Sequence, residues 1–74
     1  MNVKRRKKII HYAVSCVSEF ASRYGLKQNQ AFQFLDKYQA IEFLKENYEI
    51  EHTLSFDEVI EDLFKICKNN GGIL

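Results

Sequence analysis

The chain has 74 residues, of which 46% are hydrophobic and 14% aromatic, with three glycines and no proline. This composition excludes a disordered or low-complexity chain, and the scarcity of helix breakers favours a helical protein. A chain of this length is predicted to form one domain over residues 1–74. Such a domain buries only about 60% of the surface of its unfolded state, so its core is small.

The charge is unevenly distributed although it sums to +1. Residues 1–27 contain seven lysines and arginines against one acid, a net charge of +6. Residues 28–74 contain four lysines against nine acids, a net charge of −5. This polarity indicates docking to a surface of opposite charge more than it indicates a fold. The basic start, residues 1–8, is expected to be a helix start or a frayed arm.

The first predicted helix extends from about Val3 to Tyr24. Its apolar residues recur at three- and four-residue spacing, which forms one stripe along a helix. The residues of this stripe are Ile9, Ile10, Ala13, Cys16, Val17, Phe20, Ala21 and Tyr24. Gly25 follows at the position of a left-handed helix terminator, so we expect the helix to end there.

Two shorter helices are predicted next, over about 28–38 and 40–48. The break between them is weakly marked because Gln39 and Ala40 are not helix breakers, and one bent helix is the alternative. Residues 49–54 suggest a short extended segment.

The last helix is predicted to begin after Ser55 and to end near Asn70, where Gly71 stops it. Ser55 and Glu58 have the spacing of a capping box, in which the serine hydroxyl accepts from the amide of Glu58 and the carboxylate reaches back to the amide of Ser55. The four elements predict an all-α bundle. We expect its first and last helices to form the main packed pair and the two short helices to cross one end.

The candidate reactive residues carry weak signals for chemistry. Cys16 and Cys67 are expected to be buried free thiols, and two cysteines do not make a four-ligand zinc site. His52 is expected to tie a loop to a backbone carbonyl or a tyrosine, with His52 and Thr53 kept as recognition candidates. A metal or catalytic centre at His52 is the less favoured alternative. We therefore expect no enzyme, no metal, no cofactor and no membrane span, and a cytosolic location.

A helix-turn-helix interpretation also fits the sequence around Gly25. Ala21, Ala31 and Phe34 have the spacing that locks two such helices together, and the second helix would present polar residues to a DNA groove. The candidate nucleic-acid contacts are Lys4, Arg5, Arg6, Lys7, Lys8, Lys27, Gln28, Asn29 and Gln33. Helical hairpins that bind nothing share this pattern, and the acidic C-terminal part opposes DNA binding.

Docking to another protein is the favoured function, with the acidic C-terminal half meeting a basic cleft. The residues expected to carry it are Glu58, Glu61 and Asp62, together with His52 and Thr53. A homodimer is compatible with so small a core.

The chain after the basic start resembles an uncharacterised bacterial family of short proteins, domain of unknown function 3791. The matching features are Phe20-Ala21, Tyr24-Gly25-Leu26, Gln30-Ala31, Tyr48, the stretch Glu51-His52-Thr53-Leu54-Ser55, and the closing residues 66–72. The resemblance implies a small helical protein without assigned activity. It also implies an antitoxin-like companion, since such proteins are often encoded beside a family similar to ADP-ribosyltransferases. It supplies no catalytic residue.

Overall fold

The computed structural model describes residues 3–74, which fold into helices without a β-strand. The helices are α1 (Val3–Tyr24), α2 (Gln28–Lys37), α3 (Ala40–Glu46), α4 (Tyr48–Glu51) and α5 (Phe56–Asn69). The all-α prediction is confirmed. Of the basic start predicted at 1–8, the first two residues lie outside the described residues, and the remainder is helical from Val3 onward.

A tight turn after α1 determines how the first two helices pack. Gly25 has a φ of 65°, a left-handed conformation that glycine adopts without steric cost. The amide of Leu26 then donates to the carbonyl of Ala21 at 2.9 Å, which is the bond of a Schellman cap. Because only three residues separate the helices, α2 folds back directly onto α1.

The packing differs from one expectation. α1 packs more extensively on α2 than on α5, so the first and last helices are not confirmed as the main packed pair. α5 instead packs on both α1 and α3. The core is one cluster of buried residues drawn from α1, α2, α3 and α5. Its members are Cys16, Val17, Phe20, Ala21, Ala31, Leu35, Ala40, Ile41, Leu44, Val59, Ile60, Leu63 and Cys67.

The break between α2 and α3 occurs at Gln39, which confirms two helices rather than one bent helix. Gln39 has a φ of 68°, the only positive value among the non-glycine residues from 3 to 74. The side-chain amide of Asn70, beyond α5, donates to the carbonyl of Tyr38 at 3.0 Å. This tertiary contact holds the joint where the local sequence marks it weakly.

The prediction of an extended segment at 49–54 is wrong. Residues Tyr48–Glu51 form the one-turn helix α4, and α3 ends at Glu46, two residues earlier than predicted. The amide of Glu51 donates to the carbonyl of Asn47 at 2.9 Å, and the hydroxyl of Thr53 donates to the carbonyl of Ile50 at 2.6 Å. These local bonds satisfy backbone groups that an extended segment would leave unpaired.

The two ends of α5 match the sequence closely. The amide of Glu58 donates to the hydroxyl of Ser55 at 3.2 Å, which confirms the first half of the capping box. The Glu58 carboxylate accepts from the Ser55 hydroxyl instead of from its amide. At the other end Gly71 has a φ of 93°, and the amide of Gly72 donates to the carbonyl of Cys67 at 2.7 Å. This is a second Schellman cap.

Candidate functional site

An apolar groove lies where α1, α2 and α3 meet. Three large apolar side chains on it are about half exposed: Ile10 at 49%, Val14 at 51% and Phe32 at 47%. The groove encloses about 640 Å³. Its lining residues are Ile9, Ile10, Ala13, Val14, Val17, Gln28, Asn29, Phe32, Asp36, Ile41 and Lys45. Exposed apolar residues that adjoin one another in a concave surface mark a binding site more often than scattered ones do.

The groove continues into a smaller depression with a cationic border. Arg6, Ile9, Ile10 and Lys45 line this depression of about 500 Å³. Arg6 lies one helical turn before Ile10 on α1, and Lys45 lies one turn after Ile41 on α3. Two positive charges therefore flank an apolar surface. Within the described chain Arg5 is paired with Glu49, whereas Arg6 and Lys45 form no ion pair.

The predicted nucleic-acid residues divide between this groove and other surfaces. Arg6, Gln28 and Asn29 line the groove or its extension, whereas Lys27 and Gln33 are exposed outside its lining. The packing that a helix-turn-helix requires is present, since Ala21 and Ala31 are buried. A helical hairpin that binds no DNA requires the same packing, so this geometry does not distinguish it from a DNA-binding helix-turn-helix.

The predicted acidic recognition residues do not form a free surface as a group. Glu58 is engaged with Ser55 at the start of α5, and Glu61 is exposed. Asp62 is half-buried and lies beside Glu51. The docking role of Glu58, Glu61 and Asp62 stays a prediction.

Glu51 is the buried carboxylic acid that the sequence did not reveal. It is 3% exposed, and its Oε1 atom has no hydrogen-bond partner within residues 3–74. Burial, followed by the interaction with the neighbouring carboxylate of Asp62, raises the pKa of Glu51 to about 7. A buried carboxyl group beside a second acid binds a proton more readily than one in water, and the proton can bridge the two groups.

Two groups on α1 adjoin this acid. The hydroxyl of Tyr12 is buried and has no hydrogen-bond partner within the described chain. Burial raises the pKa of Tyr12, and the charges of Cys16 and Glu51 act in the same direction. Burial also raises the pKa of the Cys16 thiol to about 11. At neutral pH Cys16 is therefore a thiol rather than the thiolate that a nucleophile needs.

His52 is exposed and lies next to the buried Glu51 in the chain. Its Nδ1 lies 2.6 Å from the carbonyl oxygen of Tyr48, and its ring stacks on the Tyr48 ring with centroids 4.5 Å apart. Tyr48 in turn meets Tyr12 edge-on at 5.5 Å. We expected His52 to contact a backbone carbonyl or a tyrosine, and Tyr48 supplies both contacts. The recognition role of His52 and Thr53, both exposed, stays a prediction.

The remaining candidate features are a metal site, the two thiols and a membrane-spanning helix. Among residues 3–74 no group of three or more His, Cys, Asp or Glu side chains is placed to hold a metal ion. Cys16 and Cys67 are both buried and free, as expected. Within the same residues, no helix combines the length and apolar character needed to cross a bilayer.

The comparison with known families matches most of the chain. Residues 11–70 match the family described as Protein of unknown function (DUF3791). The chain belongs to this family. The matched region contains Glu51, His52 and the groove-lining residues from Ala13 to Lys45, and it excludes the basic residues 4–8. No curated protein and no solved structure matches the chain significantly.

Proposed function

We propose that this domain is a non-enzymatic protein-interaction module that docks through the apolar groove of α1, α2 and α3. The observation that carries the proposal is the convergence of Ile10, Val14 and Phe32, each about half exposed, on one concave surface. Covering apolar surface contributes about 25 cal/mol per Å². An aromatic side chain in the centre of such a surface is a frequent binding hot spot.

The first partner to test is the ADP-ribosyltransferase-like neighbour that the family resemblance implies. The domain would act as an antitoxin-like companion that covers part of its partner. The two buried free thiols are compatible with the reducing conditions of the cytosol.

The test is affinity capture from the native host with three baits. The wild-type domain is compared with a groove variant, Val14→Ser with Phe32→Ser, and with Ile50→Ser. Ile50 is a matched control because it is 65% exposed and lies outside the groove lining. We expect wild type and the Ile50 variant to retain one or more proteins that the groove variant loses, and we expect purified components to reproduce the binding. A domain whose partners are indifferent to the groove substitutions does not bind in the way proposed.

A DNA-binding regulator remains the second candidate because α1, the three-residue turn and α2 fit that motif. Electrophoretic mobility shifts on the promoter of its own gene test it. We expect any DNA binding to weaken with salt and to fall when Lys7 and Lys8 are replaced by glutamine. A metal or catalytic centre at His52 has less support, since its Nδ1 already contacts the Tyr48 carbonyl.

A further inference from the structure

We propose that the occupant of the groove is an amphipathic α-helix of a partner protein, about three turns long, with acidic residues beside one end of its apolar stripe. This inference rests on the proposed function and specifies the chemistry of the partner. It follows from three features: the length of the groove, the paired backbone groups of its helical walls, and the charged residues at one end.

The length of the groove comes from its α1 side. Its lining and that of its extension reach from Arg6 to Val17 on α1. The eleven steps from Arg6 to Val17, at 1.5 Å each, span about 16 Å, which is the length of about three helical turns. Ile10, Val14 and Val17 have the i, i+4, i+7 spacing of one helix face; Ile10 and Val14 are about half exposed, and Val17 lies at the base of the groove as part of the core. A second helix can lay an apolar stripe of the same spacing against them.

A helical occupant is favoured over an extended one by the backbone of the groove walls. All three walls are α-helices, whose interior amides and carbonyls are already paired within each helix. An extended segment would find no strand edge in the described chain and would bury its own amides without partners. A helix satisfies its backbone internally, so only its side chains need complementary contacts.

The charges select an acidic partner. Arg6 and Lys45 border the extension of the groove and form no ion pair within residues 3–74. Among residues 3–74, Asp36 is the one carboxylate that lines the main groove. Acidic side chains near Arg6 and Lys45 would meet both cations, speed association and fix the direction of the bound helix.

A second copy of this chain is the less suitable occupant. Its most acidic helix, α5, already buries its apolar face through Val59, Ile60 and Leu63. In a folded copy α5 therefore offers no exposed apolar stripe of this kind. A groove-to-groove pair would offer the cations only Asp36 among the lining residues of the main groove.

The test is selection of helical peptides from a display library on the full-length domain. We expect recovered peptides to carry an i, i+4, i+7 apolar stripe with aspartate or glutamate beside one end. Binding of these peptides should weaken at least tenfold in the variant Arg6→Glu with Lys45→Glu, and should be lost in Val14→Ser with Phe32→Ser. Lys65→Glu is the matched control because Lys65 is exposed on α5, outside the groove lining. It should bind the peptides as wild type does.

Three outcomes overturn the inference. The first is a selection that returns no groove-dependent peptide, and the second is a set of peptides without acidic enrichment. The third is a wild-type dimer in sedimentation that becomes a monomer on Phe32→Ser, which would identify the occupant as a second copy. A native partner that is lost with the Val14 and Phe32 substitutions but retained with Arg6→Glu and Lys45→Glu would leave the proposed function standing and refute only the acidic helix.

Discussion

The buried carboxyl group of Glu51 on α4 lies beside the half-buried carboxyl group of Asp62 on α5. Two neighbouring acids repel each other when both are ionised, and burial of one of them strengthens the repulsion. Protonation of Glu51 relieves the repulsion between the two carboxyl groups. We expect replacement of either acid to change folding stability, so a loss of binding in an Asp62 variant needs a stability control before it is attributed to docking.

Folding stability should fall as the pH rises through the titration of Glu51. Its pKa is raised from 4.5 to about 7 in the folded state, so the folded chain binds more protons than the unfolded chain between these values. The contribution of Glu51 to the free energy of unfolding is fully present below about pH 4.5. It is lost as the pH rises through about 7, and the loss is on the order of 3 kcal/mol. Thermal melts from pH 4.5 to 8.5 measure the loss.

Glu51→Gln is the matched control for that effect, because the amide keeps the shape and does not titrate. We expect the variant to be more stable than wild type at pH 8 and to show a flatter pH dependence between 4.5 and 8.5. Two profiles that run parallel across this range would show that Glu51 is not the titrating group.

Gln39→Gly should stabilise the fold by about 1 kcal/mol. Gln39 has a φ of 68°, a conformation that costs a residue with a Cβ atom roughly 1–2 kcal/mol and glycine little. Part of the gain is offset because glycine is more flexible in the unfolded chain. For a chain of this size we expect a rise in Tm of roughly 4–8 °C.

Gln33→Gly is the matched control for the Gln39 substitution. Gln33 is exposed inside α2, where glycine should lower stability by about 1 kcal/mol. Opposite signs for the two glutamine-to-glycine substitutions would identify the left-handed conformation as the cause. If both lower the Tm equally, Gln39 carries no strain.

Ser55→Ala should destabilise the chain by about 0.5–2 kcal/mol. The Ser55 hydroxyl accepts the amide proton of Glu58 at the start of α5, and alanine leaves that donor without its protein partner. Urea denaturation measures the change as a lower midpoint with an unchanged slope. Ser22→Ala is the control because Ser22 is exposed on α1, and this substitution should be neutral or slightly stabilising. Equal midpoints for the two variants would argue against the cap.

The two native thiols should react slowly in the folded protein. Cys16 and Cys67 are fully buried, and burial raises the pKa of both to about 11. At pH 8 only about 0.1% of each is thiolate even when the reagent has access. Labelling with a disulfide reagent should be fast in guanidinium chloride and slow in native buffer.

Ser15→Cys supplies the internal reference for thiol reactivity. Residue 15 is exposed and adjoins Cys16 in sequence, so its thiol should label rapidly in the folded chain. If Cys16 in the folded protein is labelled as fast as this reference thiol, local unfolding exposes the buried side of α1 readily.

The parts of the fold that the sequence predicted correctly depend on local rules. The bounds of α1, its stop at Gly25 and the serine cap of α5 each follow from residues within a few positions of one another. Helix periodicity and capping act over one or two turns, so a single sequence contains them completely.

The groove was visible in sequence only as an unexplained surplus of apolar residues. Val14 lies off the predicted stripe of α1, and Phe32 lies beside the apolar side of α2. An apolar arc wider than a core-facing stripe is the signal that could have indicated an open surface. The arc does not show which other helix approaches it, and the contribution of Ile41 and Lys45 depends on the path of α3.

The sequence by itself determined an all-helical chain and the helix ends at Gly25, Ser55 and Gly71. It also determined that residues 1–27 carry a positive net charge and residues 28–74 a negative one. The tertiary structure alone decided that Glu51 is buried beside Asp62, that Gln39 adopts a left-handed conformation, and that α1, α2 and α3 leave a groove between them. The reason is one of range. Hydrogen bonds and side-chain periodicity act along neighbouring turns, whereas burial, a raised pKa and a concave surface depend on residues that only packing brings together.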